Sequence, residues 1–178
     1  MQKNIRISCV LVIGFLVSLA TASAQQDEAP VVATHLEGPL HVLTCNGNAQ
    51  MIASIGEDGT LLVDTGYAAT AEAVREKLTE LGSGPVTMIV NTHGDADHVG
   101  GNAVLGKEAV ILSHSATRRR MTSYFALPAA DTAGAPNLTT EGKTTLRFNG
   151  DIINVLPFPG GHSPILRLWP GHPDQGKH

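Results

Sequence analysis

The sequence predicts an α/β fold, and three stretches carry that prediction. The runs "AQMIASI" and "TLLVD" are aliphatic, rich in branched side chains, and separated by "GEDG", whose glycine and acidic residues suit a tight turn between antiparallel strands. The segment "TAEAVREKLTELG" places Ala71, Val74, Leu78 and Leu81 at helical spacing. Third, "VTMIVN" is continuously apolar and β-branched, as expected of a strand buried on both faces.

Taken in order, the chain opens with Lys3 and Arg6, an apolar run from Ile7, and "TASAQ", whose Ala22 and Ala24 form an Ala-x-Ala cleavage pattern. Residues 1–24 therefore read as a secretory signal peptide, with a periplasmic or secreted destination and no membrane attachment after cleavage. The apolar run is shorter than the roughly 20 residues a spanning helix needs. Residues 25–40 read as a flexible polar segment, residues 41–164 as one domain, and residues 165–178 as an atypical tail.

Within the domain, residues 41–44 and 49–55 read as strands, followed by the turn at 56–59 and a strand over 60–64. A helix follows, with Thr70 as its N-cap and Gly82 as its stop. The strand of residues 86–91 comes next, then a strand over 109–112 and a short helix through "SATRRRMTSYF". Arg118, Arg119 and Arg120 read as a solvated helix face, the alternative being the border of an anionic substrate. Residues 129–142, rich in Ala, Pro, Thr and Gly, read as a surface loop. Asn149 and Gly150 lie between two alternating runs and predict a type I′ hairpin, whose second strand runs into "PFPGGHSP".

Composition narrows the function. The formal charge is −4 and becomes more negative without Lys3 and Arg6, which argues against nucleic acid or anionic lipid as a partner and in favour of a small-molecule substrate. Of the two cysteines, Cys9 lies in the leader, leaving Cys45 without an internal disulfide partner and best read as a small buried residue.

The chemistry concentrates in "NTHGDADHVGGN". His93 and Asp95 stand two apart and share a face if the chain stays extended beyond its strand. A turn then presents Asp97 and His98, and Gly100 with Gly101 allows close backbone approach as the next helix begins. Imidazole and carboxylate donors at this density suit zinc, and after it iron or manganese. Zinc lowers the pKa of bound water to about 7 and polarises a carbonyl, which points to hydrolysis. The plain alternative is an acidic surface loop with two incidental histidines.

In order and spacing, "GEDGTLLVDTGY", the helix, "VTMIVNTHGDADHVGGN" and "GGHSP" resemble the metallo-β-lactamase superfamily over about residues 42–164. The resemblance implies an αββα sandwich with one or two zinc ions at the sheet edge. It places the family's His-x-His-x-Asp-His motif on His93, Asp95, Asp97 and His98. His93, Asp95 and His162 would make a first metal site, and Asp97 and His98 would serve a second. Asp97 would also orient the attacking water as the catalytic residue, and Asp64 would fix ligand orientation from behind.

Two departures accompany it. Asp95 stands where the family has its middle histidine, which adds negative charge beside Asp97 and implies weaker or altered hydrolysis. Few residues follow His162 in this 178-residue chain, and they contain Pro164, Pro170 and Pro173, so most of the second half of the sandwich is missing; His172 in this tail is read as solvated. The leading expectation is an exported zinc hydrolase acting on an amide, lactone, thioester or other ester, a β-lactam among them. The alternatives are a catalytically silent metal-binding module or an unstable product of a longer hydrolase, and a homodimer could supply the missing half.

Overall fold

Side chains on two central strands divide between two cores, and this sets the layers of the molecule. The computed structural model describes residues 30–45, 49–124, 133–158 and 165–170. Four strands, β1 (Val32–His35), β2 (Leu40–Cys45), β3 (Ala49–Gly56) and β4 (Gly59–Val63), form an antiparallel meander. From β4 the sheet continues in parallel through β5 (Val86–Val90), β6 (Val110–His114) and β7 (Leu138–Thr140), giving seven strands in chain order. A second, three-stranded antiparallel sheet holds β8 (Thr144–Phe148), β9 (Asp151–Phe158) and β10 (Ile165–Pro170).

Leu62 of β4 and Ile89 of β5 enter a core with Leu43, Met51, Val74, Leu78, Leu105 and Ile111. Their neighbours Leu61, Val63 and Val90 point the other way, towards Phe148 and Val155 of the second sheet. Alternate residues of a strand face opposite sides, so both faces of β4 and β5 are buried. Burying each such aliphatic side chain contributes about 1.5–3 kcal/mol. The result is a mixed α/β sandwich of a helical layer and two sheets.

Helix α1 (Ala71–Glu80) supplies Val74 and Leu78 to the first core, and Gly82 ends it with φ +76°. Thr70 is not its capping side chain. A 3₁₀ turn over Ala68–Thr70 brings Thr70 into the helix already in helical conformation, and its hydroxyl donates back to the Tyr67 carbonyl at 3.1 Å. Three further helices are short or lie later: α2 (Ala96–Val99), α3 (Asn102–Leu105) and α4 (Ser115–Tyr124).

Two stretches expected to lack regular structure contain strands. The supposedly flexible residues 25–40 include β1, which pairs along its full length with β2. The loop expected over 129–142 includes β7, and Asn137 prepares its pairing: the side chain accepts from Ile111 N at 2.8 Å and donates to Ala109 O at 3.2 Å. Residues 1–24, with the expected leader, lie outside the described residues, as does all of the 165–178 tail beyond β10.

The predicted hairpin turn has φ +49° at Asn149 and +82° at Gly150, the pair of positive values that a type I′ turn requires. Asn149 also ties the two sheets together. Its backbone N–H donates to Asp58 Oδ2 at 2.6 Å, its side-chain oxygen accepts from Asp58 N at 2.9 Å, and its amide donates to Ser54 Oγ at 3.1 Å and Gly59 O at 3.2 Å.

Candidate metal centre

The segment expected to carry the chemistry leaves the end of β5, at the centre of the large sheet. The β4–β5 ladder extends one step further, with Asp64 N donating to Val90 O at 3.0 Å, and Asn91 N donates to Leu112 O at 2.9 Å. At the end of β4, Asp64 turns into the left-handed region with φ +63°. Asp and Asn tolerate that region better than most residues because their short polar groups find local partners. Its carboxylate accepts from the Thr92 backbone at 2.8 Å and from the Thr92 hydroxyl.

The loop after β4 then packs against the residues after β5. Thr65 N donates to His98 O at 2.8 Å, and Gly101 N donates to Gly66 O at 3.2 Å. Gly100 and Gly101 allow this approach: a Cβ at 100 would stand 2.5 Å from Ala68 N, and one at 101 would stand 2.4 Å from Thr65 O.

Asn91 and Asn102, which open and close the quoted segment, clasp one another. Asn102 donates its amide to Asn91 Oδ1 at 2.8 Å and to Gly134 O at 2.9 Å, while its oxygen accepts from Thr65 Oγ1 at 2.9 Å and Asn91 Nδ2 at 3.2 Å. Both asparagines are essentially inaccessible to solvent. The motif is thus a loop pinned at its two ends, a role the sequence reading missed; the only signal was a pair of asparagines flanking it.

Within this loop the side chains fall into pairs. His98 Nδ1 donates to Asp64 Oδ2 at 2.8 Å, and its Nε2 lies 3.5 Å from Asp97 Oδ2. His93 is buried, with Nδ1 3.6 Å from Asp95 Oδ2, and its ring meets that of His98 edge-on with centroids 4.8 Å apart. Asp95 begins α2 but makes no side-chain cap to it; its other oxygen lies 3.3 Å from Nη2 of Arg120. Arg120 was expected on a solvated face with Arg118 and Arg119, and its side chain is in fact two-thirds covered.

Among the described residues, no group of three or more His, Cys, Asp or Glu side chains is disposed to hold one metal ion. Of the expected first site of His93, Asp95 and His162, the first two lie side by side, and His162 lies outside the described residues. The second pair, Asp97 and His98, is present as a pair. Of the described donors, Asp95 is engaged by a guanidinium rather than turned to a shared point, while Asp64 holds His98 by Nδ1 and leaves its Nε2 directed towards Asp97.

The His98 imidazole is held above its ordinary value of 6.5, chiefly by its hydrogen bond to Asp64; burial opposes this, and the charges of Asp64, Asp97 and Asp95 add to it. A raised folded value means that protonated His98 stabilises the fold fully below about pH 6.5, and that this contribution is lost as pH rises through the folded value. In the metal-free protein, an NMR titration should place His98 above free imidazole, and Asp64→Asn should bring it down. Identical titrations in the two proteins would contradict the assigned cause.

A sequence model of the metallo-β-lactamase superfamily matches residues 42–121, which span the meander, the motif and most of α4. The match to that superfamily takes in fewer than half of the 178 residues. The chain is similar to metallo-β-lactamase domain-containing protein 1 of rat, with 36% identity over 73 residues, covering 40% of this chain and 29% of the relative. The human protein of that name is 33% identical over 84 residues, covering 46% of this chain and 30% of the relative. The chain therefore spans less than a third of the length of these relatives.

Among solved structures of the superfamily, the subclass B3 metallo-β-lactamase BJP-1 of Bradyrhizobium japonicum superposes with a TM-score of 0.68 at 16% identity, over 84% of this chain and 60% of that one. A Cronobacter sakazakii metallo-β-lactamase described by its HARLDQ motif gives a TM-score of 0.65 at 23% identity, over 78% and 57%. At these identities the likeness is one of fold.

The sequence relatives also correct the expected location. They are mammalian proteins, from organisms that have no periplasm, so the periplasmic or secreted assignment drawn from residues 1–24 is withdrawn.

Proposed function

We propose that residues 41–164 form a metallo-β-lactamase-like sandwich and that this portion is catalytically silent by itself. The engagement of Asp95 by Arg120 at 3.3 Å carries the reading. A superfamily centre needs its motif donors turned to a common point, and here one of them is turned to a neighbouring helix.

One observation favours the second reading, a hydrolase of a small amide, lactone, thioester or ester substrate. Asp64 holds His98 by Nδ1, which leaves Nε2 directed towards Asp97. In that reading His93, Asp95 and His162 would complete the centre with zinc, Asp97 would be the catalytic residue, and two copies would pair as a homodimer.

Elemental analysis of the purified full chain, combined with assays on a chromogenic β-lactam, a lactone and a thioester in the presence of zinc, separates the two. The expected result is no turnover above the uncatalysed rate. Zinc-dependent turnover that disappears in both His93→Ala and His162→Ala would overturn the silent reading.

A further inference from the structure

We propose that Arg120 is an internal counter-ion of the motif, holding Asp95 in place of the divalent cation that the superfamily pattern would put beside it, and so closing the centre to metal. The inference rests on the silent reading above and gives its cause.

It starts from the packing of α4. Three consecutive arginines point in three directions around a helix, and only packing selects the one that turns inward. Thr117 and Met121 are buried, and Arg120 stands three residues after the first and one before the second, on the covered side. Arg119 instead reaches back along its own helix, to within 3.3 Å of Ser115 Oγ. Helix α4 packs beside Gly94, where a Cβ would meet Thr117 Cγ2 at 3.4 Å and Met121 Cγ at 3.8 Å, ordinary contact distances. The helix therefore rests on the motif loop one residue before Asp95, and the Arg120 side chain spans the remaining gap.

The chemistry of the pair opposes a second cation. A guanidinium remains charged throughout the pH range in which proteins fold, and it presents several donors in one plane to a carboxylate. Asp95 makes no side-chain cap to α2, and its Oδ1 meets this cation at 3.3 Å while Oδ2 faces His93 Nδ1 at 3.6 Å. At close range and with partial burial, a fixed positive charge both neutralises Asp95 and repels a second cation. The same contact explains how a carboxylate is tolerated so near Asp97 and Asp64: Arg120 compensates the excess negative charge.

The test is zinc affinity of the full chain, measured by competition with a chromophoric chelator and checked by elemental analysis after gel filtration. Arg120→Gln and Arg120→Ala should each bind zinc at least about tenfold more tightly than the unsubstituted chain, the scale on which partners of metal ligands act. Arg120→Lys, which keeps the charge, should stay close to the unsubstituted chain, and Asp95→Asn combined with Arg120→Gln should lose the gain.

Equal affinity across Arg120→Gln and the unsubstituted chain overturns the proposal, as does a gain that persists without the Asp95 carboxylate. The two neutral variants guard against loss of folding in either one, and thermal melts identify which is folded. Turnover decides the silent reading separately: a chain that hydrolyses substrate refutes that reading, whereas uniform affinity without turnover refutes only the role of Arg120.

Discussion

Gly101→Ala is expected to destabilise the fold by about 3 kcal/mol or more, at the upper end of the usual range for overpacking. The added Cβ would stand 2.4 Å from Thr65 O and 3.1 Å from Thr65 Cβ. Neither obstacle is the free end of a flexible side chain, so relief requires the loop after β4 to retreat from the motif. That retreat would also stretch the bonds from Thr65 to His98 O. Total stabilities of about 5–15 kcal/mol leave little margin for such a loss. Urea denaturation measures it, and an unchanged midpoint would show that these two loops do not approach as closely as described.

The second large effect is expected from Asn102→Ala. The substitution removes both donors and the shared acceptor of a buried side chain, leaving Gly134 O and the Asn91 amide without that partner. A buried polar group left unsatisfied costs about 1–3 kcal/mol, and more than one is left here, so a loss of about 3 kcal/mol is expected. Asn91→Ala should cost less when Asn102 is already alanine. A double-mutant cycle in denaturant reads this coupling, and strictly additive losses would refute the clasp.

Much of the large sheet was legible because its signals are local. The turn of residues 56–59, helix α1, the doubly buried β5 and the Asn149–Gly150 turn each follow from spacing or from one residue's conformational preference. Strand β1 was not legible: only its second residue is even half-buried, so no apolar alternation marks it. Strand β7 owes its place to Asn137, whose side chain imitates strand pairing across a separation that no local pattern reveals.

The candidate centre divides in the same way. The motif residues could be picked out by type and spacing, and the glycines at 100 and 101 announced a close approach. The partners of those residues come from other segments. Nothing in "RRR" distinguishes Arg120 from its two neighbours, because the choice is made by the face of α4 on which Thr117 and Met121 are buried. Nor does a pair of asparagines flanking a loop disclose that they bond to each other. Thr70 shows the reverse error, a residue suited to capping that enters a helix through a preceding turn.

The tie between Asp58 and Asn149 joins positions 91 apart in the chain. Closing so long an intervening segment carries an entropic penalty that two or three hydrogen bonds cannot meet alone. The contact therefore becomes favourable only after both sheets exist. Its effect is to make the loss of one sheet weaken the other, so the sandwich behaves as a single cooperative unit rather than as a meander with a hairpin laid upon it.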